Sequence, residues 1–146
     1  MASSTSVLKK QRDELVKSML EEGLVDDNFN EVEALGGDTN REFLVDLISL
    51  FIEDAERILS ELTKTLSKPD VDFHVADALV HQVKGTSSSV GGQKIVVACL
   101  ECRQFCEKKD LDGCIKGLEV VKTEFNNLKG KLESFIEIER KILASY

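Results

Sequence analysis

Apolar residues recur every three or four positions along nearly the whole chain, a period that places them on one face of an α-helix. The first such stretch predicts a helix over about Ser6–Glu22, carrying Val7, Leu8, Leu15, Val16, Met19 and Leu20, with Gly23 placed to end it. Asp26 and Asp27 can cap a short second helix, Asn28–Leu35, whose few apolar residues are Phe29, Val32, Ala34 and Leu35, and which Gly36 and Gly37 stop. Thr39 or Asn40 then opens a long helix with Phe43, Leu44, Leu47, Leu50, Phe51, Ile58, Leu59, Leu62 and Leu66, closed before Pro69. A fourth helix is expected from about Val71 to Val90, ending at Gly91 and Gly92, and a fifth from Gln93 to Lys108. A break at Leu111–Gly113 leads to a last helix bearing Ile115, Leu118, Val121, Phe125, Leu128, Leu132, Phe135 and Ile136.

Four substantial helices joined by short connections make antiparallel neighbours. The expected fold is therefore all-α, an up-and-down four-helix bundle with additional N-terminal helices packed against it. One proline, nine glycines and 32% charged residues agree with a long-helix protein. At 146 residues the chain fits one domain, 1–146, with residues 1–5 expected to fray.

Charge narrows the range of partners. Against 19 basic residues stand 27 acidic ones, and a net charge of −8 repels a phosphate backbone, so nucleic acid is excluded as the expected partner. No run of roughly 18 apolar residues is available to span a membrane, and the opening MASSTSVLKKQ lacks the apolar stretch of a secretory signal. A soluble, intracellular monomer is expected. Cys99, Cys102 and Cys106 fall at i, i+3 and i+7 among Ile95, Ala98, Leu100 and Phe105, which is the spacing of a buried stripe. Three thiolates on one rigid helix cannot surround an ion tetrahedrally and no histidine lies nearby, so these cysteines, with Cys114, predict core packing and no metal site.

Chemistry concentrates between Val75 and Gly92. At about 100° per residue, Val75, Ala76, Leu79, Val80, Val83 and Val90 share an arc of about 140°, and His81 lies about 170° from its middle. The histidine therefore points outward, with Asp77, Lys84, Gly85 and Ser88 around it. Lys84, one turn later, can place an ammonium beside any anion the imidazole acquires. Gly85 costs a helix about 1 kcal/mol relative to alanine. Its bare backbone lets another protein come close. Thr86, Ser87, Ser88 and Ser89 form an awkward run for a helix interior, since short hydroxyl side chains compete for the backbone; Thr86 and Ser87 point toward the core side, where small residues permit tight packing.

The segment His81-Gln82-Val83-Lys84-Gly85-Thr86-Ser87-Ser88-Ser89-Val90-Gly91-Gly92 resembles the signature of histidine phosphotransfer proteins, written H-Q-x-K-G-S-S-x-S-x-G-A in their plant branch. Length, acidity and helix order extend the resemblance over nearly the whole chain. Thr86 stands where serine is usual and Gly92 where alanine is usual, both small replacements. Some plant relatives lack the histidine; this chain has it.

The resemblance implies a phosphoryl carrier with no independent catalytic activity, acting in a cytokinin phosphorelay in cytoplasm and nucleus. His81 would accept a phosphoryl group from the receiver domain of a hybrid sensor histidine kinase and pass it to the aspartate of a response regulator. Lys84 would pair with the phosphoryl oxygens and Gln82 would meet the partner at the rim. No cofactor is expected in this chain, the Mg2+ site belonging to the receiver. For docking, the face around His81, with Gly85 and Ser88, is expected to be joined by exposed side chains of the second helix, Phe29, Val32 and Leu35; the alternative is that these residues simply plug one end of the bundle. His74 projects from nearly the same face but has Asp77 at i+3, a carboxylate that repels a phosphoryl group. No nucleotide-binding glycine loop is present. The alternative from another class is a helical adaptor that binds partners without phosphate.

Overall fold

The computed structural model describes residues 2–36 and 40–146, and among them every regular element is an α-helix. The elements are α1 (Ala2–Glu21), α2 (Asp27–Gly36), α3 (Arg41–Ser67), α4 (Phe73–Ser89), α5 (Gln93–Glu107) and α6 (Leu111–Ala144). Short polar side chains start several of them. Asp26 Oδ1 accepts from the Asn28 amide at 2.9 Å, Asp72 Oδ1 from the His74 and Val75 amides at 3.1 Å, and Asp110 Oδ1 from the Gly113 amide at 3.0 Å. Asn40 precedes α3 without a side-chain cap, and Thr39 lies outside the described residues.

Two boundaries differ from the periodic reading. α1 begins at Ala2, taking in the segment expected to fray, and Thr5 near its start donates to Ser145 Oγ at 2.9 Å. α6 begins at Leu111, with no break at Leu111–Gly113. The reversal falls one step earlier, where Lys109 adopts a left-handed φ of 55° and Asp110 becomes the cap.

Helices α3, α4, α5 and α6 close a ring, each packing on the next and α6 returning to α3. The expected four-helix bundle is present, with α1 laid on α6 and α2 on α3 and α4. One continuous core runs through it, including Ile48, Leu62, Val80, Val83, Ile95, Leu128 and Leu132. All four cysteines are buried in that core with free thiols. Burial pushes the Cys99 thiol up to about 12, which suppresses the reactive thiolate. Not every predicted stripe residue is covered: Phe43 and Leu50 of α3 and Ile115 of α6 are exposed, because the wide apolar arc of each helix extends past the width its neighbours cover.

Periodicity gave no sign of the ion network where α1, α2, α3 and α6 meet. Glu139 of α6 is fully buried, and Arg41 of α3 donates to both its carboxylate oxygens, Nε to Oε2 at 3.1 Å. Arg12 of α1 reaches the same carboxylate at 3.5 Å, and Glu33 of α2 pairs with Arg41 at 3.3 Å. The network joins the two N-terminal helices to the bundle.

Candidate functional site

His81 stands exposed in the middle of α4, its outward direction following from the burial of Ala76, Leu79, Val80 and Val83 on the opposite side. Val75, at the edge of the predicted apolar arc and in the first helical turn, is exposed instead of packed. Gln82, Gly85 and Ser88 are exposed and Lys84 is half-buried, so the outer face carries the residues expected of it. A Cβ built on Gly85 meets nothing within 4 Å. Space above the backbone there is open, as close approach of a partner requires.

The second half of the motif has a different task. Thr86 Oγ1 and Ser89 Oγ turn back onto the carbonyls of Val83 and Thr86, at 3.2 and 2.6 Å, which answers the competition between hydroxyl and backbone without breaking the helix. Ser87 is wholly buried, and its carbonyl accepts from the Val90 and Gly92 amides. Gly91 has φ +74°, and its carbonyl accepts from the Asp26 amide at 2.8 Å. An added Cβ would stand 2.6 Å from Asp26 Oδ1 and 2.8 Å from the Phe29 nitrogen, so glycine is required for the start of α2 to seat on the α4–α5 turn.

A further residue of the site comes from α5. Arg103 Nε and Nη2 hold Asp77 Oδ1 and Oδ2 at 2.9 and 3.2 Å, and Nη1 lies 2.9 Å from His81 Nδ1. A guanidinium only donates, so Nδ1 is the acceptor and the neutral ring carries its proton on Nε2. Nε2 is the ring nitrogen left to solvent. The forked bond from Arg103 holds the Asp77 carboxyl below the usual carboxylate range and raises the guanidinium correspondingly. Sequence reading placed Asp77 beside His81 but missed Arg103. The only signal was an arginine at i+4 from Cys99 on the amphipathic fifth helix, and nothing local ties it to α4.

His74 is exposed at the start of α4, beside Asp70, Asp72 and Lys109, and its backbone amide is part of the Asp72 cap. The second-helix residues need correction. Phe29 is fully buried, its ring edge-on to Phe135, and Val32 is buried as well, so neither presents a side chain to a partner. They plug the end of the bundle because α2 turns its short apolar face inward onto α3 and α4. Leu35 is 69% exposed and lines a cleft of about 360 Å³ with Asn28, Glu31, Val32, Ser88 and Ser89. On α5, Leu100, one turn before Arg103, is 45% exposed.

Residues 46–131 match the family model for the Hpt domain, more than half of the chain. The chain belongs to the histidine phosphotransfer family. It is 41% identical to histidine-containing phosphotransfer protein 1 of rice (Oryza sativa subsp. japonica), over 98% of this chain and 97% of that protein. A solved rice structure of the same type superposes with a TM-score of 0.92 at 38% identity, covering 96% of this chain and 99% of that one. A histidine-containing phosphotransfer protein from maize gives 0.87 at 43%, covering 92% and 99%. Pseudo histidine-containing phosphotransfer protein 2 of rice is also similar, at 31% over 94% of this chain and 91% of that protein. Phosphocarrier members of the family are not independent enzymes, and membership implies interaction with receiver domains of a phosphorelay. Among the described residues no helix is long and apolar enough to cross a membrane.

Proposed function

We propose that this chain relays phosphoryl groups through Nε2 of His81, between the receiver domain of a sensor histidine kinase and that of a response regulator. The observation that carries the reading is a solvent-facing imidazole with one nitrogen engaged by Arg103 and the other open, beside a glycine with free space above it. The family includes pseudo forms, and the presence of His81 in this chain supports the carrier reading. A carrier needs only position and charge for such a step. Nε2 gives up its proton to solvent as its electron pair attacks the phosphorus of the receiver's acyl phosphate, and the bond from phosphorus to the aspartate oxygen breaks with its electron pair to leave the receiver's carboxylate. Return to a second receiver reverses these events.

Lys84, one turn from His81 and in no ion pair among the described residues, supplies charge to the phosphoryl oxygens. The docking surface is the outer face of α4 with Gln82, Gly85 and Ser88, flanked by Leu35 of α2 and Leu100 of α5. Resemblance to plant members supports a cytokinin relay in cytoplasm and nucleus.

The test is incubation of the full chain with a phosphorylated receiver domain. Parent protein takes up acid-labile, base-stable phosphate, and His81→Gln takes up none while its circular dichroism is unchanged, since an exposed histidine adds little to the core. Lys84→Ala still binds the receiver but transfers about ten- to a hundredfold more slowly in single turnover. Equal labelling of His81→Gln would move the site to His74. A parent that binds receivers and never accepts phosphate would establish the adaptor instead.

A further inference from the structure

Arg103 occupies the nitrogen of His81 that does not face solvent. Its position is not an accident of a mobile side chain, because Asp77 holds it by two parallel bonds from one turn earlier on α4. When the phosphoryl group is on Nε2, Nδ1 keeps its lone pair and remains an acceptor, so the same bond persists in the loaded carrier.

That bond bears on the lifetime of the loaded state. Hydrolysis of a phosphoimidazole joins water to phosphorus while the phosphorus–Nε2 bond breaks and its electron pair goes to the ring. A proton on Nδ1 makes the departing ring a neutral imidazole, whereas without it the ring leaves as an anion or must gain a proton on the way. Protonation at Nδ1 is therefore what exposes the carrier to water. From the structure we infer that Arg103, held by Asp77, keeps a proton off Nδ1 of phosphorylated His81 and thereby prolongs the time the phosphoryl group stays on the protein. This rests on His81 being the loaded residue.

Other charges near the ring set the direction. On α4, Asp77 draws a proton toward the ring, while Lys84 opposes one, and His74 lies two turns before His81. On α5 stand Arg103 itself and Glu107, which acts on Arg103. Helix α2 faces α4 at Ser88 and Ser89 with Glu31, about two turns from the ring, and α3 packs on the buried side of α4. Arg103 is the group that both carries positive charge and fills the Nδ1 lone pair, so removing it leaves Asp77 free to favour protonation.

The experiment loads the full chain on His81 from a phosphorylated receiver, removes the receiver, and follows loss of the phosphohistidine signal by phosphorus NMR from pH 5 to 9. In the parent, loss accelerates only toward the acid end. In Arg103→Gln the acceleration begins about one pH unit higher, which near neutrality is about tenfold faster loss. Arg103→Lys, which keeps a cationic donor, lies between the two. Superimposed profiles for parent and Arg103→Gln would overturn the inference and leave the relay intact, as would an Arg103→Lys variant no more stable than Arg103→Gln. A parent that takes no phosphate on His81 would overturn both together.

Discussion

Phe29 of α2 meets Phe135 of α6 edge to face, ring centroids 5.6 Å apart and planes inclined at 82°. Both rings are fully buried, so the short second helix is anchored through an aromatic side chain that crosses to the far wall of the bundle. Leu35, two turns along the same helix, faces solvent.

Those opposite fates give separable outcomes. Phe29→Ala should lower the unfolding free energy by about 3–5 kcal/mol through lost burial and a cavity, read in a denaturant melt. Leu35→Ala should leave the melt within about 0.5 kcal/mol of the parent. Leu35→Ala and Leu100→Ala should instead weaken receiver binding in titration calorimetry, and unchanged affinity in both would remove the flanks from the docking surface.

Glu139 is a buried carboxylate whose partners come from two other helices. Replacing it with alanine leaves Arg41 buried without its main counter-charge, at a cost of about 3–5 kcal/mol. Because α1 and α2 are joined through the same network, hydrogen exchange in both should accelerate in this variant more than in α5. Uniform acceleration would mean that the N-terminal helices are not separately held.

At Gly85 stability and transfer should part. Gly85→Ala has open space for its methyl group and the better helix propensity, so the bundle gains about 0.5–1 kcal/mol. Gly85→Gln also folds, but fills the approach to His81 and should accept phosphate much more slowly than the parent. An equal rate in a time course would assign the glycine some other purpose.

Asp77 gives a pH signature. Its folded carboxyl titrates below the usual range because of the bond from Arg103, so the folded state binds fewer protons than the unfolded chain between the two values. Stability from the pair is thus full above the ordinary carboxylate range and is lost as pH falls through the depressed value. Thermal melts of the parent should fall through that acid window, and Asp77→Asn should lack this part of the fall. Parallel curves for the two proteins would show that Asp77 is not held by charge.

What could be read from the chain was whatever one helix decides for itself. The three- and four-residue spacing of Leu44, Ile58 and Leu62 marks α3, Pro69 and Gly91 mark the ends of α3 and α4, and the angle between His81 and Val80, Val83 and Ala76 is settled by helical pitch alone. Burial of all four cysteines and exposure of His81, Gly85 and Ser88 followed from the same rule. Periodicity does not say how far a neighbouring helix covers a wide apolar arc, so it places Phe43 and Leu50 with the core although both are exposed, and leaves Phe29 and Val32 to the surface although both are buried. Nor could it bring Arg103 to His81 or Arg41 to Glu139, residues separated by 22 and 98 positions. Those contacts depend on the register in which α5 and α6 settle against α4 and α3. That register is a property of side chains interlocking between helices, so only the tertiary structure decides it.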